Sequence, residues 1–147
     1  MYKNLLVATD GSKLSDRAVT HAIALAKAVG ATITAFYAAP DYPMPAYADG
    51  IVYEPVSRKE YAKLAAQDAE KILGKVVAKA KAADVGCKTA FDIASTPWEA
   101  ILAAAKKNKA DVIVMASHGR RGLSAVLLGS ETQIVLTHTK LPVIVVR

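Results

Sequence analysis

Met115–Thr132 reads MASHGRRGLSAVLLGSET, and the order of its parts sets the fold class. An apolar run, Val112–Met115, leads into it, and a short amphipathic segment, Ser130–Thr139, follows. Between them lie Gly119, Gly122 and Gly129, two arginines, a histidine and several hydroxyls. A strand that breaks into a glycine-punctuated loop and restarts as a helix is an ordinary way to build an anion site. The N–H groups of a helix's first turn have no partner inside the helix, and the helix dipole favours negative charge there. The stretch is therefore read as a loop that holds the phosphates of a nucleotide.

Upstream of it, the chain alternates between two hydrophobic periods. Asn4–Ala8 (NLLVA) is a nearly continuous apolar run, the pattern of a strand buried on both faces. Thr9–Ser12 (TDGS) supplies turn residues and caps. Leu14–Val29 carries Ala18, Ala22, Leu25, Ala26 and Val29 at helical spacing, and Gly30 is a natural stop. Thr32–Ala38 (TITAFYA) is β-branched and aromatic, a second strand. Ser57–Ala83 is the longest helical stretch, ended by Gly86, and Lys88–Ile93 (KTAFDI) is the third strand. Thr96-Pro97-Trp98-Glu99 has a capping-box arrangement that opens a helix running through Lys107. Asp111–Ala116 is the fourth strand, Ser130–Thr139 the last helix, and Leu141–Val146 the fifth strand, with Pro142 at its start.

This β-α-β-α-β-α-β-α-β order implies an α/β fold, a doubly wound five-stranded parallel sheet with four helices. Such sheets bind ligands outside the carboxyl ends of their strands, where the strand order reverses. In the order 3-2-1-4-5 the first and fourth strands are neighbours, so Thr9–Ser12 and the loop after Met115 face one crevice. Ala39–Val56 breaks the alternation. Pro40, Pro43, Pro45 and Pro55 forbid a regular helix or a central strand there, and the segment reads as a surface crossover whose tyrosines cover the sheet edge.

The 147 residues suit one domain, 1–147, and 53% hydrophobic content is too high for disorder. No apolar run approaches the roughly 18 residues of a membrane span, and the apolar run of MYKNLLVATDGS is too short for a signal peptide to be expected. The expectation is a cytoplasmic protein with no membrane partner. Cys87, the single cysteine, reads as a small core residue. The net charge of +6 raises nucleic acid as a partner. However, the lysines from Lys59 to Lys81 interleave with Glu60, Asp68 and Glu70 as on a solvated helix face. No nucleic-acid motif accompanies them, so no nucleic acid is expected.

No G-x-x-x-x-G-K-[ST] occurs, and no G-x-G-x-x-G follows the first strand, which disfavours P-loop hydrolases and dinucleotide-dependent dehydrogenases. No His/Cys spacing suggests zinc, and no G-x-S-x-G is present. His21 and His138 read as helix-surface or satisfied core residues, while His118 lies in the candidate loop.

Around residues 115–132 the chain resembles the universal stress protein family. Its nucleotide-binding members carry glycine, two residues, glycine, nine residues, glycine, then serine or threonine. Here Gly119 is followed by Arg120–Leu128 and then Gly129-Ser130. The resemblance covers essentially the whole chain: LLVATDGS at 5–12, DVIVMASH at 111–118 and LPVIVVR at 141–147 match the family's opening, fourth and closing strands. It implies a Rossmann-like fold of the adenine nucleotide alpha-hydrolase-like kind and a bound ATP. One position departs: the family's first signature glycine falls at Ala116. If that residue needs positive φ, alanine costs roughly 1–2 kcal/mol; if φ is ordinary, the methyl only crowds the sugar.

By matching position, the resemblance places Thr9 and Asp10 at the nucleotide, with Asp10 accepting a ribose hydroxyl or, without ligand, bracing the turn. Ala38 meets adenine through its backbone, and Met115 and Ala116 line the adenine–ribose side. Gly119, Gly129 and Ser130 surround the phosphates, with His118, Arg120, Arg121 and Thr132 near them. Glu131 suits a helix dipole yet repels phosphate unless turned away. The implied function is an ATP-binding regulatory protein of the stress response, a homodimer paired through Val143–Val146, with no catalytic residue and no protein metal site. The alternatives are a slow ATPase with Mg or Mn at the phosphates and a dimerisation module that binds no nucleotide. Gly119→Val and Gly129→Val are each expected to remove binding and leave the fold intact.

Overall fold

The computed structural model describes residues 1–43, 46–53, 56–119 and 128–147. In chain order its elements are β1 (Asn4–Ala8), α1 (Lys13–Val29), β2 (Thr32–Pro40), β3 (Ala46–Ala48), β4 (Ile51–Tyr53), α2 (Arg58–Ala82), β5 (Cys87–Ala94), α3 (Pro97–Lys107), β6 (Val112–Ala116), α4 (Ser130–His138) and β7 (Val143–Val146). The main sheet runs β5-β2-β1-β6-β7, all parallel. Counting only its own strands, that is the order 3-2-1-4-5. Leu5 stands between Ile33 and Val112, so β1 is the central strand, and the chain reverses direction across the sheet between β1 and β6.

The continuous apolar runs are explained by burial on both faces. Leu5 and Val7 pack with α1 and α2 on one side, Leu6 with α3 and α4 on the other, and all three are fully buried. β6 is buried throughout, whereas the edge strands β5 and β7 are only partly covered. Cys87 lies half-buried on edge strand β5 rather than deep in the core. Burial pushes its thiol above the ordinary range, against a lowering by the Ala35 backbone hydrogen bond.

Caps set the helix limits. The Ser12 hydroxyl accepts the Ser15 N–H at 3.2 Å to open α1, and Gly30 ends it at φ 69° with its N–H returned to the Ala26 carbonyl. The Ser57 hydroxyl accepts the Glu60 N–H at 3.1 Å to open α2.

Four sequence expectations need correction. β2 continues past Ala38 to Pro40, which pairs with Ala94 at the strand's last position, where a missing N–H is tolerated. β7 begins at Val143, because Pro142 precedes the regular strand. The proline–tyrosine segment contains an antiparallel hairpin, β3–β4, apart from the main sheet. Its turn, Asp49-Gly50, has positive φ at both residues (50° and 77°), the backbone a tight two-residue hairpin requires. Finally, Thr96 makes no side-chain cap to α3, so the capping box does not form. At the base of the same segment, Tyr42 meets Tyr61 of α2 edge-on at 5.4 Å, and the Tyr61 hydroxyl donates to the Pro40 carbonyl at 2.6 Å.

Candidate functional site

The carboxyl ends of β1, β2 and β6 open into one cleft, with α3 and α4 forming its far wall. Its volume is about 210 Å³, below the roughly 300 to 1,000 Å³ usual for ligand pockets. A body of that size seats a flat ring system, and anything longer continues across the open mouth.

β1 delivers Thr9 and Asp10. The Thr9 hydroxyl stands 3.0 Å from the Ser15 hydroxyl and accepts the Gly11 N–H at 3.2 Å; Gly11 turns the chain at φ 77°. The Asp10 Oδ1 accepts the Ser12 N–H at 2.9 Å. The bracing role of Asp10 is thus present, while α1 itself is capped by Ser12. The carboxylate's other oxygen faces Gly119: a Cβ built there would lie 2.8 Å from Oδ2. Gly119 is exposed and has an ordinary φ, so its lack of a side chain serves close approach.

β6 delivers Met115 and Ala116 to the floor. Ala116 is the last residue of the strand, paired with Val146, and it does not have a positive φ. The strain reading of its departure from glycine therefore falls away; what remains is a methyl group in the lining. Its carbonyl accepts the buried Thr132 hydroxyl at 3.0 Å, which ties β6 to α4. His118 follows, half-buried, with Nδ1 3.1 Å from the Ser117 hydroxyl.

Gly129 is the N-cap of α4, in extended conformation (φ −61°, ψ 149°). Its N–H donates to the Ser117 carbonyl at 2.7 Å. A Cβ there would lie 3.1 Å from both Cα and Cβ of His118 and 3.2 Å from the Ser117 oxygen. Glycine is needed at this point so that the returning chain can lie against the exit of β6. Gly129 and the exposed Ser130 do not line the cleft, whereas Glu131 and Thr132 do.

Glu131 settles its own conflict. Its Oε2 accepts the Trp98 N–H at 2.9 Å, so this carboxylate caps the start of α3 where Thr96 does not. The Trp98 ring in turn meets that of His138 at a tilt of 41°, with centroids 4.8 Å apart.

Of the residues named from sequence, Thr9, Asp10, Ala38, Met115, Ala116, His118, Gly119, Glu131 and Thr132 surround the one cleft. Arg120 and Arg121 lie outside the described residues. Sequence reasoning missed Ala8, Ser15, Phe36, Pro97 and Ile101, which complete the lining. Pro97 and Ile101 carried a signal in part, since they open the helix after the third strand and so stand at the carboxyl end of the sheet. Phe36 carried none, because a strand phenylalanine reads as core. The lining is chemically mixed: Phe36, Ala38, Ile101, Met115 and Ala116 supply apolar surface, and Thr9, Asp10, Ser15, His118, Glu131 and Thr132 polar groups, of which Thr9, Ser15 and Thr132 are buried. Among the described residues no group of three or more acidic, histidine or cysteine side chains is placed to hold a metal.

The family model described as "Universal stress protein family" matches residues 1–147. A Thermus aquaticus universal stress protein, encoded in the 3′ region of a QAH/OAS sulfhydrylase, is 35% identical over 147 residues and covers all of both chains. One from Methanocaldococcus jannaschii is 33% identical over 147 residues, all of this chain and 83% of its own. Among solved structures, a universal stress protein described as in complex with cAMP superposes with a TM-score of 0.74 at 26% identity, covering 99% of this chain and 97% of that one.

Proposed function

We propose that this chain, which belongs to the universal stress protein family, binds ATP or a related adenine nucleotide in the β1–β6 cleft as a regulatory ligand of the stress response. The observation that carries the reading is the juxtaposition of Asp10 with Gly119 at the mouth of an apolar slot. An adenine ring needs a flat apolar slot, and Phe36, Ile101 and Met115 make one. A ribose needs a hydrogen-bond acceptor at its hydroxyls, which is Asp10. Phosphates need donors on bare backbone, which Gly119 and the first-turn N–H groups of α4, without partners inside the helix, provide. Charge-assisted hydrogen bonds of this kind contribute about 1.5–3 kcal/mol each, which outweighs the crowding of one methyl at Ala116. The cAMP in the solved relative is a ligand of the same class.

The reading is binding rather than turnover. Both carboxylates on the cleft, Asp10 and Glu131, already accept backbone N–H groups, from Ser12 and Trp98. That suits groups that position a ligand better than groups that move protons. Mg or Mn would enter with the triphosphate. Homodimer formation through β7 belongs to the same proposal: it is apolar, half-buried and, among the described residues, the last strand of the sheet.

The test is to denature the purified protein, identify any released small molecule, and titrate the emptied protein with ATP, ADP, AMP and cAMP. Adenine nucleotide near one per chain, with binding lost in Asp10→Ala, supports the reading. No nucleotide released, and no binding at millimolar concentration, overturns it in favour of a dimerisation module. Steady phosphate release from saturating MgATP would make the protein an ATPase.

A further inference from the structure

The end of the sheet opposite the cleft is paved with lysine. Lys3 immediately precedes β1, Lys88 is the second residue of β5, and Lys109 and Lys140 lie in the turns that enter β6 and β7. Lys27, Lys81 and the pair Lys106–Lys107 lie in the last turns of α1, α2 and α3. All are exposed. Helix dipoles favour cations in last turns, which accounts for the second group. It does not account for the first, which lies outside the helices. Lys109 moreover holds φ 53°, just after Asn108 ends α3, where glycine is the ordinary residue. Among the described residues Asp84 and Asp111 stand near these lysines; Asp111 is occupied by the Lys3 N–H at 2.7 Å and that of Asn4, and Lys79, also in the last turn of α2, is ion-paired with Asp16 and is not counted in the array.

The strand order turns these scattered positions into an array. From β5 to β7 the first group spans the sheet's width, about 19 Å at roughly 4.8 Å per strand gap. The second group flanks it on both sides, α1 and α2 on one face of the sheet and α3 on the other. The charge is therefore spread in two dimensions over an end face, with no arginine there among the described residues. A nucleic-acid backbone is a line of phosphates, met by a groove or stripe and favouring bidentate arginine. A bilayer rich in anionic lipid is a plane of charge, which point-like lysines meet without fixed geometry.

We propose that this lysine face adsorbs to the surface of an anionic lipid bilayer and holds the cleft toward the water. No helix among the described residues is long and apolar enough to cross a membrane, so the contact is a surface one. An apolar span and a charged face are separate routes to a bilayer, and the lack of a long apolar run in the sequence bears on the first alone.

The experiment co-sediments the full chain with vesicles of phosphatidylcholine alone or mixed with phosphatidylglycerol. Binding to the mixed vesicles only, weakening with salt, is expected. K106E/K107E/K109E should lower the partition coefficient by at least about tenfold, and K106Q/K107Q/K109Q by less. The control K13E/K59E/K63E makes the same charge change at the other end of the molecule, beyond a Debye length of about 8 Å. It should move partitioning less than about threefold. Circular dichroism checks that each variant is folded, and the glutamine triple serves if the glutamate triple is not. The proposal is overturned by equal loss in both glutamate triples, by equal binding to neutral vesicles, by no vesicle binding, or by double-stranded DNA displacing the protein from the mixed vesicles.

Discussion

The two ends of the sheet are built on different principles. At the amino end the chain turns quickly from helix to strand: Gly30 stops α1, Val85-Gly86 leads into β5, and Asn108–Asp111 leads into β6. The turns close locally, as where the Lys109 N–H donates to the Lys106 carbonyl, and then dock on β1, where Asp111 accepts the Lys3 N–H and the Asn4 side chain donates to the Asn108 carbonyl. At the carboxyl end the contacts that matter come from far apart in the chain. Asp10 faces Gly119, Thr132 bonds Ala116, and Glu131 caps Trp98. A turn that only joins helix to strand needs few such links, whereas a cleft assembled from distant segments requires each segment to stop at the right place.

This contrast is open to direct attack. Gly119→Val is the largest expected effect: its Cβ collides with the Asp10 carboxylate, and nucleotide affinity should fall more than about a hundredfold, the loss of one or two charge-assisted hydrogen bonds. Titration calorimetry measures it, and an unchanged affinity would remove Gly119 from the site. Because the atom to be displaced is the end of a side chain, the melting temperature should stay close to the parent's.

Gly129 sharpens the point, since there the obstruction is backbone. Gly129→Ala should destabilise the fold by about 1–3 kcal/mol through overpacking against Ser117 and His118, read as a lowered urea midpoint. The expectation that a larger side chain here leaves the fold intact is revised accordingly. Glu131→Ala should cost about 1 kcal/mol by uncapping α3, with a change in Trp98 fluorescence as the indole's helix turn loosens. If stability and fluorescence are both unmoved, the link between α3 and α4 is not made through that carboxylate.

Two smaller effects test the ends one by one. Ala116→Gly should weaken the strand end by about 0.5–1 kcal/mol while changing nucleotide affinity less than about fivefold, because Ala116 carries no backbone strain. A larger gain in affinity would show that its methyl obstructs the ligand. At the other end, Lys109→Gly should stabilise the protein by up to about 1 kcal/mol, as relief of a left-handed backbone exceeds the entropy glycine adds. A loss instead would mean the Lys109 side chain supports the fold.

The strands and helices were legible because their signals are periodic and local. Leu5, Leu6 and Val7 announce a strand covered on both faces, and the apolar steps of α1 and α2 announce helices with one buried stripe. The hairpin at Asp49-Gly50 was also written in the chain, as an Asp-Gly pair, but the prolines around it drew the reading toward irregular loop. The missed cleft residues are of another kind. Phe36 and Ile101 look like any core residue until the strand order places their ends beside β6.

Alone, the sequence determined the alternation of elements, their order and the two loops that meet at the carboxyl ends, since each depends on neighbours within a few residues. The tertiary structure decided what those loops do to one another. It set Gly119 against Asp10, drew Glu131 to α3, gave Ala116 an ordinary backbone and gathered lysines from separate segments onto one face. These are distances between residues far apart in the chain, and no local pattern of side chains encodes a distance until the sheet has fixed its strand order.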